Sequence, residues 1–371
     1  MQVLEYFIEL AKINAPSGNE KPIANFIIPH LKELGFTMKF DEAHKNFGGN
    51  CGNLIAYWPG TNPNINPLFF STHMDTVFPT AGLNPIIKDG VIYTDGKTIL
   101  GADDRAALAA YIEAIRTIQE KEIKCGPLEL VLTVNEQPGL VGATYLDYSK
   151  VKSTEGYIFD SSGDVGQIIQ QGPYSSRIYS NIRGRSSHLG LNPEEGINAF
   201  LIASKALLNM KLGKVDSETV ANVGEITGVG MSSIIPGEVS LVGEVRSLSE
   251  SGLQNQLNHM NDVLSEAAES YGGKATTEIK KKYLGFHHPT DSVLVQNALT
   301  ATSLINVDSY VTQTFGGADT NIFNENGLNS ITLGNGFRNI HTVDEHLSIE
   351  NLNNTARCVI ALATTWYQHH K

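Results

Sequence analysis

The stretch PLFFSTHMD, residues 67–75, contains an apolar run that ends abruptly in polar side chains. A short apolar run of this kind is typical of a strand that is buried on both faces of a sheet. His73 and Asp75 follow the run directly. The stretch therefore predicts a buried strand that delivers a histidine and a carboxylate to one edge of a sheet.

Three further apolar runs end in the same way. LELVLTV runs into Asn135-Glu136-Gln137, YIF runs into Asp160, and SITLG leads through a glycine-containing turn to His341. Helical stretches alternate with these runs, which predicts an α/β fold with a mostly parallel sheet. Ligands of open α/β sheets lie beyond the carboxyl ends of the strands. We therefore expect these polar side chains to meet at one edge.

Two helices are predicted near these strands. Residues 105–119 have a helical pattern, with Asp103 and Asp104 at the start, where carboxylates complement the helix dipole. The sequence SGNE, residues 17–20, has the spacing of a capping box and predicts a helix from there to Gly35.

The middle of the chain has a different pattern. Strands are predicted over residues 174–182, 238–246 and 276–283, and helices over 197–212 and 251–271. Together they predict a small α+β domain inserted into the larger one. The predicted division is 1–173 for the first part of the catalytic domain, 174–288 for the inserted lid domain, and 289–371 for the second part of the catalytic domain.

Composition excludes several classes of protein. A chain of 371 residues is too long for one ordinary core, which agrees with two domains. The net charge of −12, without clusters of Lys or Arg, argues against binding to nucleic acid or to an anionic membrane. The first 15 residues are amphipathic and lack a basic stretch, so we expect a first helix and no signal peptide. No apolar run approaches the ~20 residues that a membrane span needs.

The cysteines are scattered and form no CxxC pair: Cys51, Cys125 and Cys358. Unpaired thiols fit a reducing compartment, so we expect the protein to be cytoplasmic.

The polar residues at the strand ends form a candidate metal site. Imidazole nitrogens and carboxylate oxygens suit zinc, cobalt or manganese. Each residue also has an ordinary interpretation: His73 and His341 as loop histidines, Asp103 as a helix cap, Asp160 as a turn residue and Glu136 as a surface carboxylate. Their joint position at strand ends favours a metal site, but spacing alone leaves both interpretations open.

Ordered motifs along nearly the whole chain resemble those of a known superfamily, the co-catalytic zinc peptidases that include peptidase T, carboxypeptidase G and the aminoacylases. The peptidase T branch is the most similar. The motifs that carry the resemblance are STHMDTV, ILGADDRAALAA, TVNEQPGLVGA, YIFDSSGDVG, GRSSHLGLNPEEGINA, FGGADTNIFNENG and NIHTVDEHL.

The resemblance implies two divalent metal ions, with zinc expected and cobalt or manganese as alternatives. His73 and Asp160 would hold one metal and His341 the other. Asp103 would bridge the two, and a cis peptide is expected between Asp103 and Asp104.

The resemblance also implies roles in peptide hydrolysis. Asp75 would orient the ring of His73, and Glu136 would act as general base and then as general acid for a water that attacks the scissile carbonyl. His188 would stabilise the oxyanion, and Arg246 would bind a substrate carboxylate.

Two departures from the family pattern bear on function. Gln137 stands where the family has a second glutamate that binds the same metal as His341. A neutral amide is a poorer ligand, so we expect a weaker second metal site. Ser232 and Ser233 stand where the family usually has Thr-Asn, so the chain lacks an asparagine that could donate a hydrogen bond to the substrate.

Several functions remain open at this point. The first is an aminopeptidase that releases the N-terminal residue of short peptides, above all tripeptides. The second is an amidohydrolase of N-acyl or N-carbamoyl amino acids. The third is a catalytically weakened relative that binds small peptides or only supports a homodimer through the inserted domain. Glu136, Asp75 and His188 favour an enzyme, because binding alone requires no general base.

Overall fold

The computed structural model describes residues 3–371, in which helices and strands alternate. The helices are α1 Val3–Lys12, α2 Lys21–Glu33, α3 Ala102–Glu120, α4 Val141–Thr144, α5 Ala199–Asn209, α6 Glu250–Ser270, α7 Val293–Leu304, α8 Asp319–Glu325 and α9 Ile349–His370. The strands are β1 Thr37–Phe40, β2 Leu54–Trp58, β3 Leu68–His73, β4 Ile86–Lys88, β5 Val91–Tyr93, β6 Leu128–Thr133, β7 Glu155–Ile158, β8 Gln167–Gly172, β9 Tyr174–Arg183, β10 Ser187–His188, β11 Gly213–Lys214, β12 Thr219–Thr227, β13 Ile234–Ile235, β14 Glu238–Ser247, β15 Lys274–Tyr283, β16 Phe286–His287, β17 Tyr310–Gln313, β18 Asn329–Leu333, β19 Phe337–Arg338 and β20 His346–Ser348.

The larger sheet has the strand order β1-β2-β6-β3-β7-β18-β8-β16, with β17 beside β8. Its central strands β6, β3, β7 and β18 are parallel to one another. Strands β1 and β2 on one flank and β8 on the other are antiparallel to their neighbours. The predicted α/β fold with a parallel central sheet is confirmed. The four central strands are those that the apolar runs predict.

Helix α3 is buried along most of its length. It contacts helices α1 and α9 and strand β3. Its alanines, from Ala106 to Ala110, are fully shielded from solvent. Small side chains allow the neighbouring elements to approach closely, and a helix that is apolar on all sides belongs in a core. This burial fixes the start of α3, where Asp103 lies.

The chain divides into two compact units. The first runs to residue 170 and continues at 287–313 and 318–371, and the second comprises 171–286 and 314–317. The second unit contains an antiparallel sheet of order β11-β12-β14-β9-β15, against which helices α5 and α6 pack. Alternate residues of β14 are buried, as expected for a sheet with helices on one face. This unit therefore combines two helices with an antiparallel sheet.

The helix predicted from residue 17 begins later in the structure. Helix α2 starts at Lys21, and no side chain caps its first turn. Ser17 instead donates to Asp75 at 2.6 Å, and Glu20 accepts from backbone amides at its Oε1 atom. The capping-box interpretation is therefore wrong, because Ser17 pairs with Asp75, and Glu20 accepts the amides of Gly18 and Asn135 and precedes the helix.

Two further features concern the chain as a whole. Cys51, Cys125 and Cys358 are buried and form no disulfide. Within residues 3–371, every helix is too short or too polar to cross a lipid bilayer.

Gly156 provides a test of the packing between β3 and β7. It lies opposite Phe69 in the parallel ladder, and an added Cβ would meet the Phe69 ring and carbonyl oxygen at 2.4 Å. We expect Gly156→Ala to lower the free energy of unfolding by about 1–3 kcal/mol through overpacking. Gly224→Ala is the matched control, since a Cβ there meets only a side-chain atom at 4.0 Å. Urea denaturation measures both, and equal stabilities would contradict the assignment.

Candidate metal centre

The ends of the four central strands bring together the residues predicted from the sequence. His73 is the last residue of β3. Glu136 and Gln137 follow β6, and Asp160 follows β7. His341 lies beyond β18 in the loop that leads to β20. All of these residues belong to the first compact unit.

Asp103 lies between the two histidines. Its Oδ1 atom is 3.0 Å from His73 Nε2, and its Oδ2 atom is 3.0 Å from His341 Nε2. The peptide bond between Asp103 and Asp104 is cis, as the resemblance implies. Both residues have non-helical dihedral angles, so the regular helix begins at Arg105. One carboxylate thus faces two imidazoles, which is the arrangement expected of a bridging ligand.

Gln137 also contacts the central carboxylate. Its side-chain nitrogen lies 3.0 Å from Asp103 Oδ2, the same oxygen that faces His341. The amide therefore reaches the position where the family has a glutamate. In this arrangement it acts as a hydrogen-bond donor and adds no negative charge.

Asp75 contacts the other side of the His73 ring. His73 Nδ1 lies 3.0 Å from the Asp75 carbonyl oxygen and 3.4 Å from its Oδ1 atom. The Asp75 carboxylate in turn accepts the backbone amides of Glu136 and Gln137 at 3.1 and 3.2 Å. An outer carboxylate of this kind fixes ring orientation and tautomer in metal sites.

Asp104 is part of the cluster, although the sequence analysis places it only at the helix start. One potential ligand atom from each of His73, Asp104 and Asp160 lies within 4.8 Å of the other two. Asn335 donates to Asp104 Oδ1 at 2.9 Å, and Asp104 Oδ2 is buried without a hydrogen-bond partner among residues 3–371. Asp103, in contrast, faces both imidazoles. We therefore favour Asp103 as the bridge.

Two more carboxyl groups lie beside the site, and no role was predicted for either of them from the sequence. Glu345 accepts the backbone amides of Gly101 and Asp103 at 2.7 and 3.2 Å, and burial raises its pKa to about 7. Asp319 accepts the Thr133 hydroxyl at 2.6 Å, and burial raises its pKa to about 6. Asp319 lies in the GGAD segment that carries the family resemblance, which is the only signal that could have identified it.

The cluster holds more buried negative charge than positive charge. Burial, together with the charge of Asp160, raises the pKa of Asp104, and burial with the charge of Asp103 raises that of Asp160. Burial also raises the pKa of Glu136, with further contributions from Asp160 and Asp319. Buried carboxylates are costly unless a cation compensates them. The donor set and the unpartnered oxygen of Asp104 fit a divalent metal.

Asp103 and Asp75 show the opposite behaviour, since the pKa of each carboxyl is lowered. Burial opposes the ionisation of Asp103, but hydrogen bonds with His341 and His73 outweigh burial and lower its pKa. The contacts with the two imidazoles therefore favour the anionic form of Asp103. A bridging ligand needs this property, since it must offer both oxygens.

His188 and Arg246 belong to the second unit. His188 is exposed in the short strand β10, paired with β13, and its Nδ1 atom accepts the Gly190 amide at 3.1 Å. Arg246 is partly exposed on β14 and pairs with Glu244 at 2.8 Å. Its Nη1 atom also donates to the Phe315 carbonyl oxygen at 2.9 Å. The roles of both residues in substrate binding stay predictions.

Comparison with known proteins agrees with the resemblance. The model of peptidase family M20/M25/M40 matches residues 69–365. The uncharacterized protein YqjE of Bacillus subtilis (strain 168) is 38% identical over 361 residues, which cover 97% of each chain.

Two solved structures share the fold over nearly their full length. The crystal structure of aminopeptidase PepT from Bacillus cereus ATCC 10987 has a TM-score of 0.93 at 36% identity, covering 98% of each chain. The crystal structure of a tripeptidase from Staphylococcus aureus subsp. aureus Mu50 has a TM-score of 0.95 at 36% identity, covering 99% of this chain and 98% of that one. With its strand-end cluster of histidines and carboxylates, this chain belongs to peptidase family M20/M25/M40 and is a metallopeptidase.

Proposed function

We propose that this metallopeptidase is an aminopeptidase that releases the N-terminal residue of tripeptides. The observation that carries the proposal is the Asp103 carboxylate, which faces His73 and His341 at 3.0 Å on either side. The similarity to PepT of B. cereus and to the S. aureus tripeptidase, each 36% identical, supports this substrate class.

The proposed metal ligands divide into a complete set and a weaker one. His73, Asp103 and Asp160 provide one nitrogen and two carboxylates, which make a sufficient set for zinc. Asp103, His341 and Gln137 provide the second set, in which an amide replaces a charged ligand. When bound, a pair of divalent metals lowers the pKa of a water and polarises the scissile carbonyl.

Glu136 is the proposed general base and acid. Its side chain is 8% exposed, and burial raises its pKa well above the ordinary glutamate value. A carboxyl with a raised pKa is a more effective proton acceptor and donor near neutral pH. Glu136 takes a proton from the water while the water oxygen attacks the carbonyl carbon. It then passes that proton to the amide nitrogen as the C–N bond breaks, which gives a carboxylic acid and a free amine.

Residues 174–288 are the proposed lid domain. Within it, Arg246 is proposed to bind the substrate carboxylate and His188 to stabilise the oxyanion. A guanidinium suits the first role because it pairs with a carboxylate through two parallel hydrogen bonds. Closure of the lid over the peptide would exclude water. We also propose that two copies associate through this domain as a homodimer.

A peptide panel tests the substrate class. Purified protein with added zinc, manganese or cobalt should release the N-terminal residue from tripeptides, as measured by chromatography of the products. Dipeptides, N-acetylated tripeptides and N-carbamoyl amino acids serve as comparison substrates. Preferred hydrolysis of the N-blocked compounds would assign the protein to the amidohydrolases, and no turnover with any metal would favour a peptide-binding role.

Replacement of Glu136 tests its role in proton transfer. Glu136→Gln keeps the shape of the side chain but removes the proton acceptor, so we expect kcat to fall by at least ~10²-fold. Metal content should stay near that of the wild type, because Glu136 is not a proposed ligand. Steady-state kinetics and elemental analysis measure the two quantities. A variant with wild-type kcat would exclude Glu136 as the base.

Gln137→Glu tests the weaker metal site. The wild type should bind one divalent metal tightly and a second one weakly, and Gln137→Glu should strengthen the second site by restoring a ligand charge. His73→Ala is the comparison variant and should lose the tight metal. Elemental analysis and metal titration measure the stoichiometries. Two tight equivalents in the wild type, unchanged by Gln137→Glu, would contradict this prediction.

A further inference from the structure

In the turn that contains Glu136, three consecutive backbone amides donate hydrogen bonds to carboxylates. The Asn135 amide donates to Glu20 Oε1 at 2.9 Å. The Glu136 and Gln137 amides donate to Asp75 Oδ1 and Oδ2 at 3.1 and 3.2 Å. The position of the Glu136 backbone therefore depends on two carboxylates, Glu20 and Asp75.

The segment that carries Glu20 is itself fastened to the loop after β3. Ser17 Oγ donates to Asp75 Oδ2 at 2.6 Å. The Ser17 amide donates to the Thr76 carbonyl oxygen at 3.2 Å, and the Thr76 amide donates to the Ala15 carbonyl oxygen at 3.1 Å. Residues 15–20 thus connect the loop that contains Asp75 to the turn that contains Glu136 through hydrogen bonds.

Glu20 occupies an unusual place for an acidic residue. It has no exposed surface, and its Oε2 atom has no hydrogen-bond partner among residues 3–371. Burial and the neighbouring charge of Asp75 raise the pKa of Glu20 to about 7. A buried carboxyl without a counter-ion is unfavourable. Its Oε1 atom accepts the amides of Gly18 and Asn135 at 2.6 and 2.9 Å, which links it to the turn.

The turn needs such support because its first residue is constrained. Asn135 has a φ angle of 53°, in the left-handed region, which asparagine enters more readily than most residues other than glycine but still infrequently. Such a conformation persists when surrounding contacts determine it. The hydrogen bond from the Asn135 amide to Glu20 is one of these contacts, and the bond from Val141 N to the Asn135 carbonyl oxygen at 3.1 Å is another.

We propose that Glu20, assisted by Ser17, is a positioning residue that fixes the turn 135–137 and thereby places the Glu136 carboxyl for proton transfer. This inference rests on the proposed role of Glu136. It extends the catalytic apparatus to the segment before helix α2, which lies more than 100 positions earlier in the chain.

The test compares Glu20→Ala and Glu20→Gln with a matched control. Glutamine keeps a carbonyl oxygen that can accept the same two amides, whereas alanine leaves both without this partner. The control is Glu129→Ala. Glu129 is 1% exposed and accepts the amides of Lys152 and Ser153 at 2.9 Å each. It therefore has the same kind of contacts as Glu20, but it holds a different loop.

We expect Glu20→Ala to lower kcat for tripeptides by ~10²-fold, the order of loss caused by a misplaced catalytic group. KM and metal content should stay near wild-type values, and Glu20→Gln should restore most of the activity. Glu129→Ala should lower the thermal midpoint of unfolding about as much as Glu20→Ala does, but it should keep the wild-type kcat. Wild-type kcat in Glu20→Ala, or the same loss of kcat in Glu129→Ala, would overturn the proposal.

A second measurement separates this inference from the proposed function. Hydrogen exchange of the folded protein should be faster at residues 135–137 in Glu20→Ala, and Glu129→Ala should accelerate exchange only around residues 152–153. If Glu20→Ala does not fold, Ser17→Ala takes its place, with a smaller increase expected at the same amides. Unchanged exchange there overturns the inference regardless of activity. If the wild-type protein hydrolyses no tripeptide but the exchange rates change as expected, only the proposed function is refuted.

Discussion

The contact on which the site depends is the one between a single carboxylate, Asp103, and two imidazoles that arrive from distant parts of the chain. His73 comes from the end of β3, and His341 comes from a loop 238 positions after Asp103. Glu345 accepts a hydrogen bond from the Asp103 amide, which fixes the backbone at Asp103. The burial of α3 and the two long-range loops all serve to keep this carboxylate in one place.

The charge balance around Asp103 explains why the cluster fits a cation. Arg105 is the fully buried basic residue nearest in sequence, but it donates to the carbonyl oxygens of Leu10 and Ala11 and not to a carboxylate. Burial lowers the pKa of Arg105 to about 10, which still leaves it charged at neutral pH. One guanidinium cannot balance the carboxyls of Asp75, Asp103, Asp104, Glu136, Asp160 and Asp319. A divalent metal would supply the missing charge next to Asp104 and Asp160, whose pKa values are raised.

The sequence predicted the parts of the site whose signals are local. Each of the four central strands is an apolar run followed by a polar residue, so both the strand and its terminal side chain could be identified. Ser17 and Glu20 could not be placed in this way, because their spacing matches a capping box while their partners are Asp75 and Asn135. Glu345 is similar, since its amide partners lie at Gly101 and Asp103. A local pattern cannot report hydrogen bonds between segments separated by 58 to 244 positions.

Gln137 shows how one neutral side chain changes this balance. Its amide nitrogen and His341 both face Asp103 Oδ2, so that oxygen already has two donor groups directed at it. A glutamate at this position would add another negative charge to a cluster in which several carboxyls already resist ionisation. Glutamine avoids that repulsion and donates a hydrogen bond to the Asp103 carboxylate. The same substitution removes a charged ligand from the His341 side, whereas the ligand set of His73, Asp103 and Asp160 is unaffected. The asymmetry between the two proposed metal sites therefore follows from the chemistry of one amide.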